Sequence, residues 1–129
     1  MKRITTLFTA AALLLAVSVP TVLASGGDAT RIPLKASKAF PAAKGAAKFR
    51  ARAGDRELEA EVEHVRRLAG KRVTFFVAGK KLGTAKVGPL GAAHIERSTE
   101  RGQAVPSVSK GTAVKVRTAG GVLIVKGSF

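Results

Sequence analysis

The 129-residue sequence contains no cysteine. Small exported domains often rely on disulfide bonds, because a short chain buries only a small apolar core. This chain can form none, so its fold must be held by packing and hydrogen bonding alone.

Tryptophan, tyrosine and asparagine are also absent, and Gln103 is the only carboxamide. Sugar-binding sites generally use aromatic rings with a polar edge and carboxamides that hydrogen-bond to hydroxyl groups. The chain has too few of both, so its composition argues against a lectin or a glycan-degrading enzyme.

Residues of common catalytic and metal sites are equally scarce, since His64 and His94 are the only histidines. A serine–histidine–acid triad needs a base beside its nucleophile, and no Gly-x-Ser-x-Gly segment is present to hold a serine. A metal site would need a histidine to converge with Glu96 or Asp28 from different strands. We expect both histidines to be partly buried structural residues, and we predict no catalytic residue, metal ligand or cofactor.

Residues 1–24 have the layout of a cleaved secretory signal peptide. A cationic start, Met1-Lys2-Arg3, precedes an apolar stretch at 4–19, and Val22-Leu23-Ala24 places small residues at the positions that a signal peptidase recognises. The apolar stretch is too short for a membrane span, and Ser25 stands where a lipoprotein would need cysteine. The sequence therefore predicts an exported protein, periplasmic or extracellular, without a transmembrane anchor.

Cleavage would remove Lys2 and Arg3 and leave 21 basic and 8 acidic residues, a net charge of +13. The 105 residues that remain suit a single domain. We expect a flexible start at 25–30 and one folded domain at 31–129.

From residue 31 onward, apolar and polar residues alternate in short runs separated by glycine-rich breaks. This pattern is typical of an antiparallel β-sandwich of the immunoglobulin-like or Greek-key type. We predict an all-β fold of seven or eight strands. The predicted strands are 31–36, 47–53, 57–65, 72–78, 82–87, 92–99, 112–118 and 122–129.

Segment 57–65 is ambiguous, because its apolar residues also share one face of a helix. A hairpin with Gly54-Asp55 at its tip favours a strand, since one register then matches opposite charges on one face and apolar side chains on the other. The predicted charged pairs are Arg52 with Glu57, Arg50 with Glu59 and Lys48 with Glu61. In the last hairpin, the predicted pairs are Val116 with Val125 and Thr118 with Leu123.

Acidic residues are absent from 29–54, 64–95 and 101–129. Three basic pairs fall at predicted strand ends, where they can gather at the rim of the fold. We take them as candidate contacts for an anionic ligand. They are Arg66, Arg67, Lys71, Arg72, Lys80 and Lys81.

Phe75 and Phe76 are adjacent on a predicted strand and must point to opposite faces. One therefore belongs in the core. The other is either covered by a second sheet or exposed beside Lys80 and Lys81 as a contact point.

Several short motifs resemble those of small exported bacterial β-sandwich proteins. They are Leu34-Lys35-Ala36, Gly45-Ala46-Ala47-Lys48-Phe49, the acidic segment 57–63 and the ending Gly127-Ser128-Phe129. The first half is also similar to chordin-type domains, which are secreted β-folds, through Pro41 and the Gly-Ala strand. The resemblance implies a fold and an export route, and it implies no activity.

The sequence favours a non-catalytic exported protein that binds an anionic component of the cell envelope or matrix. Envelope polymers and lipid head groups are the expected partners, and nucleic acid stays open as a third. One alternative is a structural or accessory domain that packs on a protein partner, with the basic charge serving solubility. The other is a small hydrolase or metalloprotein.

Overall fold

The computed structural model describes residues 28–129, and the predicted signal peptide at 1–24 lies outside them. The strand β1 begins at Asp28, so 28–30 belong to the sheet and not to the flexible start that the sequence suggests. The strands are β1 (Asp28–Ala36), β2 (Lys44–Arg52), β3 (Asp55–Glu63), β4 (Arg72–Val77), β5 (Lys80–Lys86), β6 (Ala93–Ser98), β7 (Ala113–Thr118) and β8 (Leu123–Ser128). Two short 3-10 helices, η1 (Arg66–Leu68) and η2 (Thr99–Arg101), follow β3 and β6.

These eight strands form one antiparallel sheet in the order β5-β4-β7-β8-β1-β2-β3-β6. The prediction of an all-β, antiparallel fold is confirmed. The edge strands β5 and β6 lie close together. If Gly83 of β5 carried a Cβ atom, that atom would lie 2.7 Å from Cδ1 of Ile95 and would also collide with Arg97, and both of these residues are in β6. The sheet is therefore nearly closed on itself. Within residues 28–129, no helix has the length and hydropathy needed to cross a membrane.

A single apolar core lies on the inner side of the sheet. In β4, the side chains of Val73, Phe75 and Val77 are fully buried, while the side chains between them point outward, as the two-residue period of a strand requires. The prediction that one of the paired phenylalanines belongs in the core is confirmed. It is Phe75, and Phe76 is half-buried on the outer face.

The prediction of a strand is confirmed for 57–63, since β3 ends two residues before the predicted end at 65, but the predicted register of its hairpin is wrong by two residues. The turn consists of Ala53 and Gly54, whose φ angles are 49° and 85°. A two-residue turn with positive φ at both positions matches the twist of the flanking strands. Asp55 therefore leaves the turn and pairs with Arg52.

The two-residue shift keeps every side chain on its predicted face and changes its partner. Arg50 lies opposite Glu57 instead of Glu59, and Lys48 lies opposite Glu59 instead of Glu61. In the last hairpin, Val116 faces Val125 as predicted.

The predicted pair Thr118–Leu123 is wrong. A bulge between Val116 and Arg117 shifts the register so that Arg117 faces Leu123. Thr118 instead closes the turn, because its hydroxyl accepts a hydrogen bond from the backbone N–H of Val122 at 3.0 Å.

Candidate anion-binding surface

Charge is unevenly distributed over the sheet. Five acidic residues lie in β3, one each in β1 and β6, and one in η2. The strands β4, β5, β7 and β8 contain basic residues and no acidic residue. One half of the sheet therefore carries positive charge with no carboxylate on its own strands.

In the other half, positive and negative side chains meet. Arg50 Nη1 lies 3.7 Å from Glu57 Oε1, and Arg31 Nη2 lies 3.8 Å from Glu61 Oε2. These partly exposed pairs neutralise each other and each adds little to stability, about 0–1 kcal/mol. The excess charge of the molecule is therefore concentrated on the acid-free half.

Four lysines fall in one line across the strands, three of them on that half and Lys35 on the adjoining strand β1, and we call this line the lysine row: Lys35, Lys126, Lys115 and Lys81. Lys126 of β8 is the register partner of both Lys115 in β7 and Lys35 in β1. Phe76 of β4 completes the line, because it faces Lys115 on one side and Lys81 on the other. Neighbouring strands are about 4.8 Å apart, so the row extends about 19 Å across five strands.

The outward direction of the lysine row follows from the alternation of its strands. Val114 and Val116 of β7 are fully buried, which leaves Lys115 between them on the outer face. Leu34 is buried in the same way and turns Lys35 outward. Hydrophobic burial on the inner face thus fixes where the ammonium groups stand.

Lys115 lies at the centre of this surface, between two shallow grooves. One, of about 230 Å³, is lined by Phe76, Lys115 and Arg117 among others. The other, of about 340 Å³, is lined by Lys35, Lys115 and Lys126 among others. A chain-like ligand lying along the row would therefore contact ammonium groups and the side chain of Phe76.

Further cations flank the lysine row on the same face. Arg117 donates a hydrogen bond from Nη1 to the carbonyl oxygen of Gly121 at 3.1 Å, which restrains its guanidinium group. Arg72 lies opposite Lys86 at the edge of β4 and β5, and its Nη1 donates to Thr84 Oγ1 at 3.2 Å. The positive surface is thus several strands wide.

Four of the six predicted contact residues lie at one end of the sheet. Arg66 and Arg67 are in η1, and Lys71 and Arg72 lead into β4, all with exposed side chains. Arg67 has a structural contact, since its guanidinium carbon lies 4.2 Å from the centre of the Phe40 ring and its Nη2 donates to the carbonyl oxygen of Ala39.

Lys80 and Lys81 lie at the opposite end of the same hairpin. Lys80 pairs with Val77 at the turn, whereas Arg72 begins β4 five residues earlier. At about 3.3 Å per residue, the two groups are roughly 17 Å apart along the strand. The six predicted residues therefore do not form one cluster, and only Lys81 belongs to the lysine row.

Sequence reasoning missed Lys35, Lys115 and Lys126. Their alternation with buried residues marks each as outward-facing, but their alignment depends on the pairing of β1 with β8, which are far apart in the chain. Pairs of adjacent basic residues are visible in a sequence, whereas a row across strands is visible only in the sheet.

The expectation that both histidines are partly buried is wrong. His94 is exposed on the outer face of β6 opposite Glu61. His64 follows β3 with a φ of 64°, which turns it away from the apolar face of that strand, and its Nε2 lies 4.0 Å from Glu63 Oε1.

Three carboxylates also come together on the outer face of β3 and β6. Side-chain oxygens of Glu57, Glu59 and Glu96 lie within 4.8 Å of one another. Cations already neutralise two of them, since Glu57 lies near Arg50 and Glu96 lies 3.8 Å from Arg101 Nη2. This group is therefore part of the charge-paired half of the sheet.

Comparison with models of known protein families, with curated proteins and with solved structures gives no match for this chain.

Proposed function

We propose that this protein is an exported, non-catalytic domain that binds an anionic component of the cell envelope or matrix through the lysine row. The row offers repeated ammonium groups at strand spacing, which suits a linear polymer of phosphate, sulfate or carboxylate groups. The signal peptide pattern at 1–24 supports export, where such polymers occur.

The observation that carries this proposal is the direct opposition of Lys115 and Lys126, with Lys35 beside them. Like charges that face each other on a sheet are destabilising. A bound polyanion would remove that repulsion, and the two grooves beside Lys115 would give the polymer room to lie close to the strands.

A second, structural part of the proposal concerns the shape of the sheet. We propose that its two halves pack face to face as the layers of a β-sandwich, so that the positive half forms one broad side of the domain. One core that contains buried residues from both halves supports this arrangement.

The proposal is tested by retention of residues 25–129 on immobilised polyphosphate and on an uncharged polymer across a salt series. We expect strong retention on the anionic polymer that weakens steeply with salt. Retention that is weak or independent of salt would contradict the proposal. Vesicles with anionic lipid, run in parallel, separate a polymer ligand from lipid head groups.

A protein partner that co-purifies with the domain and stays bound at high salt would instead favour the accessory-domain alternative.

A further inference from the structure

A third groove lies away from the centre of the lysine row, where the beginning of β5 faces the segment that follows η2. It has a volume of about 430 Å³. Its lining includes three cationic and three apolar side chains, which are Arg56, Lys80, Lys81, Leu82, Val105 and Pro106. We call it the Arg56 groove.

Arg56 is half-buried at this groove and is held firmly. Its Nε and Nη2 donate hydrogen bonds to the carbonyl oxygen of Val105 at 2.9 and 2.7 Å. A guanidinium group has five N–H donors, so three are not used in this contact. The backbone N–H of Arg56 also donates to Thr99 Oγ1 at 2.8 Å, which ties β3 to η2.

The positive charge of Arg56 has no ion-pair partner in the described chain. Among residues 28–129, no carboxylate oxygen lies within 4.0 Å of its guanidinium group. Asp55 is engaged elsewhere, since it accepts a hydrogen bond from the Thr99 hydroxyl at 3.1 Å. Arg56 is half-buried and lines the groove together with two lysines, so an anion would complete this cluster of positive charge.

The apolar wall indicates what else the anion carries. Val105 is buried against the core and Leu82 packs on it, so hydrocarbon beside them would be removed from water. Small-molecule sites typically combine such a wall with a few convergent polar groups. We propose that the Arg56 groove binds a small amphipathic anion, with a carboxylate or phosphate head on Arg56 and Lys80 and a short hydrocarbon chain on Leu82 and Val105.

Binding can be followed by ¹⁵N NMR during titration of residues 25–129 with hexanoate, hexyl phosphate, inorganic phosphate and 1-hexanol. We expect saturable shifts at 80–82 and 99–106 with an amphipathic anion. 1-Hexanol and inorganic phosphate should each bind at least about 10-fold more weakly, because each lacks one of the two contacts. The relative affinity of hexanoate and hexyl phosphate identifies the preferred head group.

Lys80→Gln should weaken binding of the preferred anion by about 5-fold, which corresponds to a partly screened charge contact. Lys86→Gln, an equal charge change at the far end of β5, should leave it unchanged. Arg56→Gln should remove binding, and circular dichroism would show whether that variant folds. If Arg56→Gln does not fold, the affinity of Lys80→Gln still tests the proposal.

The proposal is overturned if no titrant gives saturable shifts, if 1-hexanol or inorganic phosphate binds as tightly as the amphipathic anions, or if Lys86→Gln weakens binding as much as Lys80→Gln. The groove shares Lys81 with the lysine row, and Lys115 and Lys126 belong only to the row. Lys115→Gln with Lys126→Gln should leave hexanoate and hexyl phosphate binding intact.

Discussion

Lys115 and Lys126 are register partners on adjacent strands, so their side chains stand side by side on the outer face of the sheet. Directly opposed residues have Cβ atoms about 5 Å apart. Lys35 extends this repulsion to a third strand. Stability alone would favour an acidic residue at the middle position, and the proposed polyanion would supply that negative charge.

Lys126→Glu should therefore stabilise the domain while it weakens polyanion binding. The new carboxylate would face Lys115 and Lys35, and each opposite-charge pair contributes about 0.2–1 kcal/mol. We expect a higher free energy of unfolding in urea and at least a 10-fold loss of affinity for polyphosphate.

Lys110→Glu is the matched control for this change. It has the same effect on net charge but lies in an exposed turn outside the row. If Lys126→Glu were no more stable than Lys110→Glu, the row would not be a source of repulsion.

The β2–β3 register can be tested through the pair Arg50 and Glu57. Glu57→Lys should destabilise the domain, and adding Arg50→Glu should restore part of the loss, with a coupling energy of about 0.3–1 kcal/mol. The free energies of unfolding of the four proteins give this coupling.

Glu59→Lys combined with Arg50→Glu provides the comparison for the alternative register. Arg50 lies only diagonally from Glu59, so the coupling should be smaller. A larger coupling energy for Arg50 with Glu59 than for Arg50 with Glu57 would support the alternative register, in which Gly54 and Asp55 form the turn.

The close contact of β8 with β1 depends on Gly127. A Cβ atom there would lie 2.6 Å from the carbonyl oxygen of Pro33 and 2.9 Å from Cδ2 of Leu34. Because a backbone oxygen cannot move aside easily, Gly127→Ala should reduce the free energy of unfolding by about 1–3 kcal/mol.

Gly120→Ala is the control, since the nearest atom to its Cβ would be Thr118 Oγ1 at 3.9 Å. We expect a change within about 0.5 kcal/mol. Equal effects of the two substitutions in thermal or urea unfolding would show that β1 and β8 are not packed as described.

The alternation of apolar and polar residues along the sequence predicts most of the strands and which of their side chains are buried. The buried set in β4 and the outward Lys115 of β7 follow from the two-residue period, and opposite charges on β2 and β3 correctly identify a strand where helix-forming residues abound. These features are local, so a single sequence contains them.

Register and charge alignment are harder to predict. A positive φ at Ala53 moves a hairpin by two residues, and the sequence favours Gly54-Asp55 as the turn. A bulge after Val116 displaces Leu123. Lys35 and Lys126 meet only because the end of β1 pairs with β8, which is a tertiary relationship that local patterns do not encode.

Binding of a polyanion along the lysine row can be measured through the salt dependence of the affinity for polyphosphate. Each phosphate contact of a single-stranded nucleic acid contributes about −0.7 to the slope of log K against log salt, and with the same value for polyphosphate four lysines predict a slope of about −3. Affinities are measured for the unsubstituted domain, for Lys115→Gln with Lys126→Gln, and for Lys38→Gln with Lys110→Gln, two exposed lysines outside the row.

We predict that loss of Lys115 and Lys126 reduces the magnitude of the slope by about 1.4, while loss of Lys38 and Lys110 leaves it nearly unchanged. Equal reductions in both double variants would mean that net charge, and not the lysine row, determines binding.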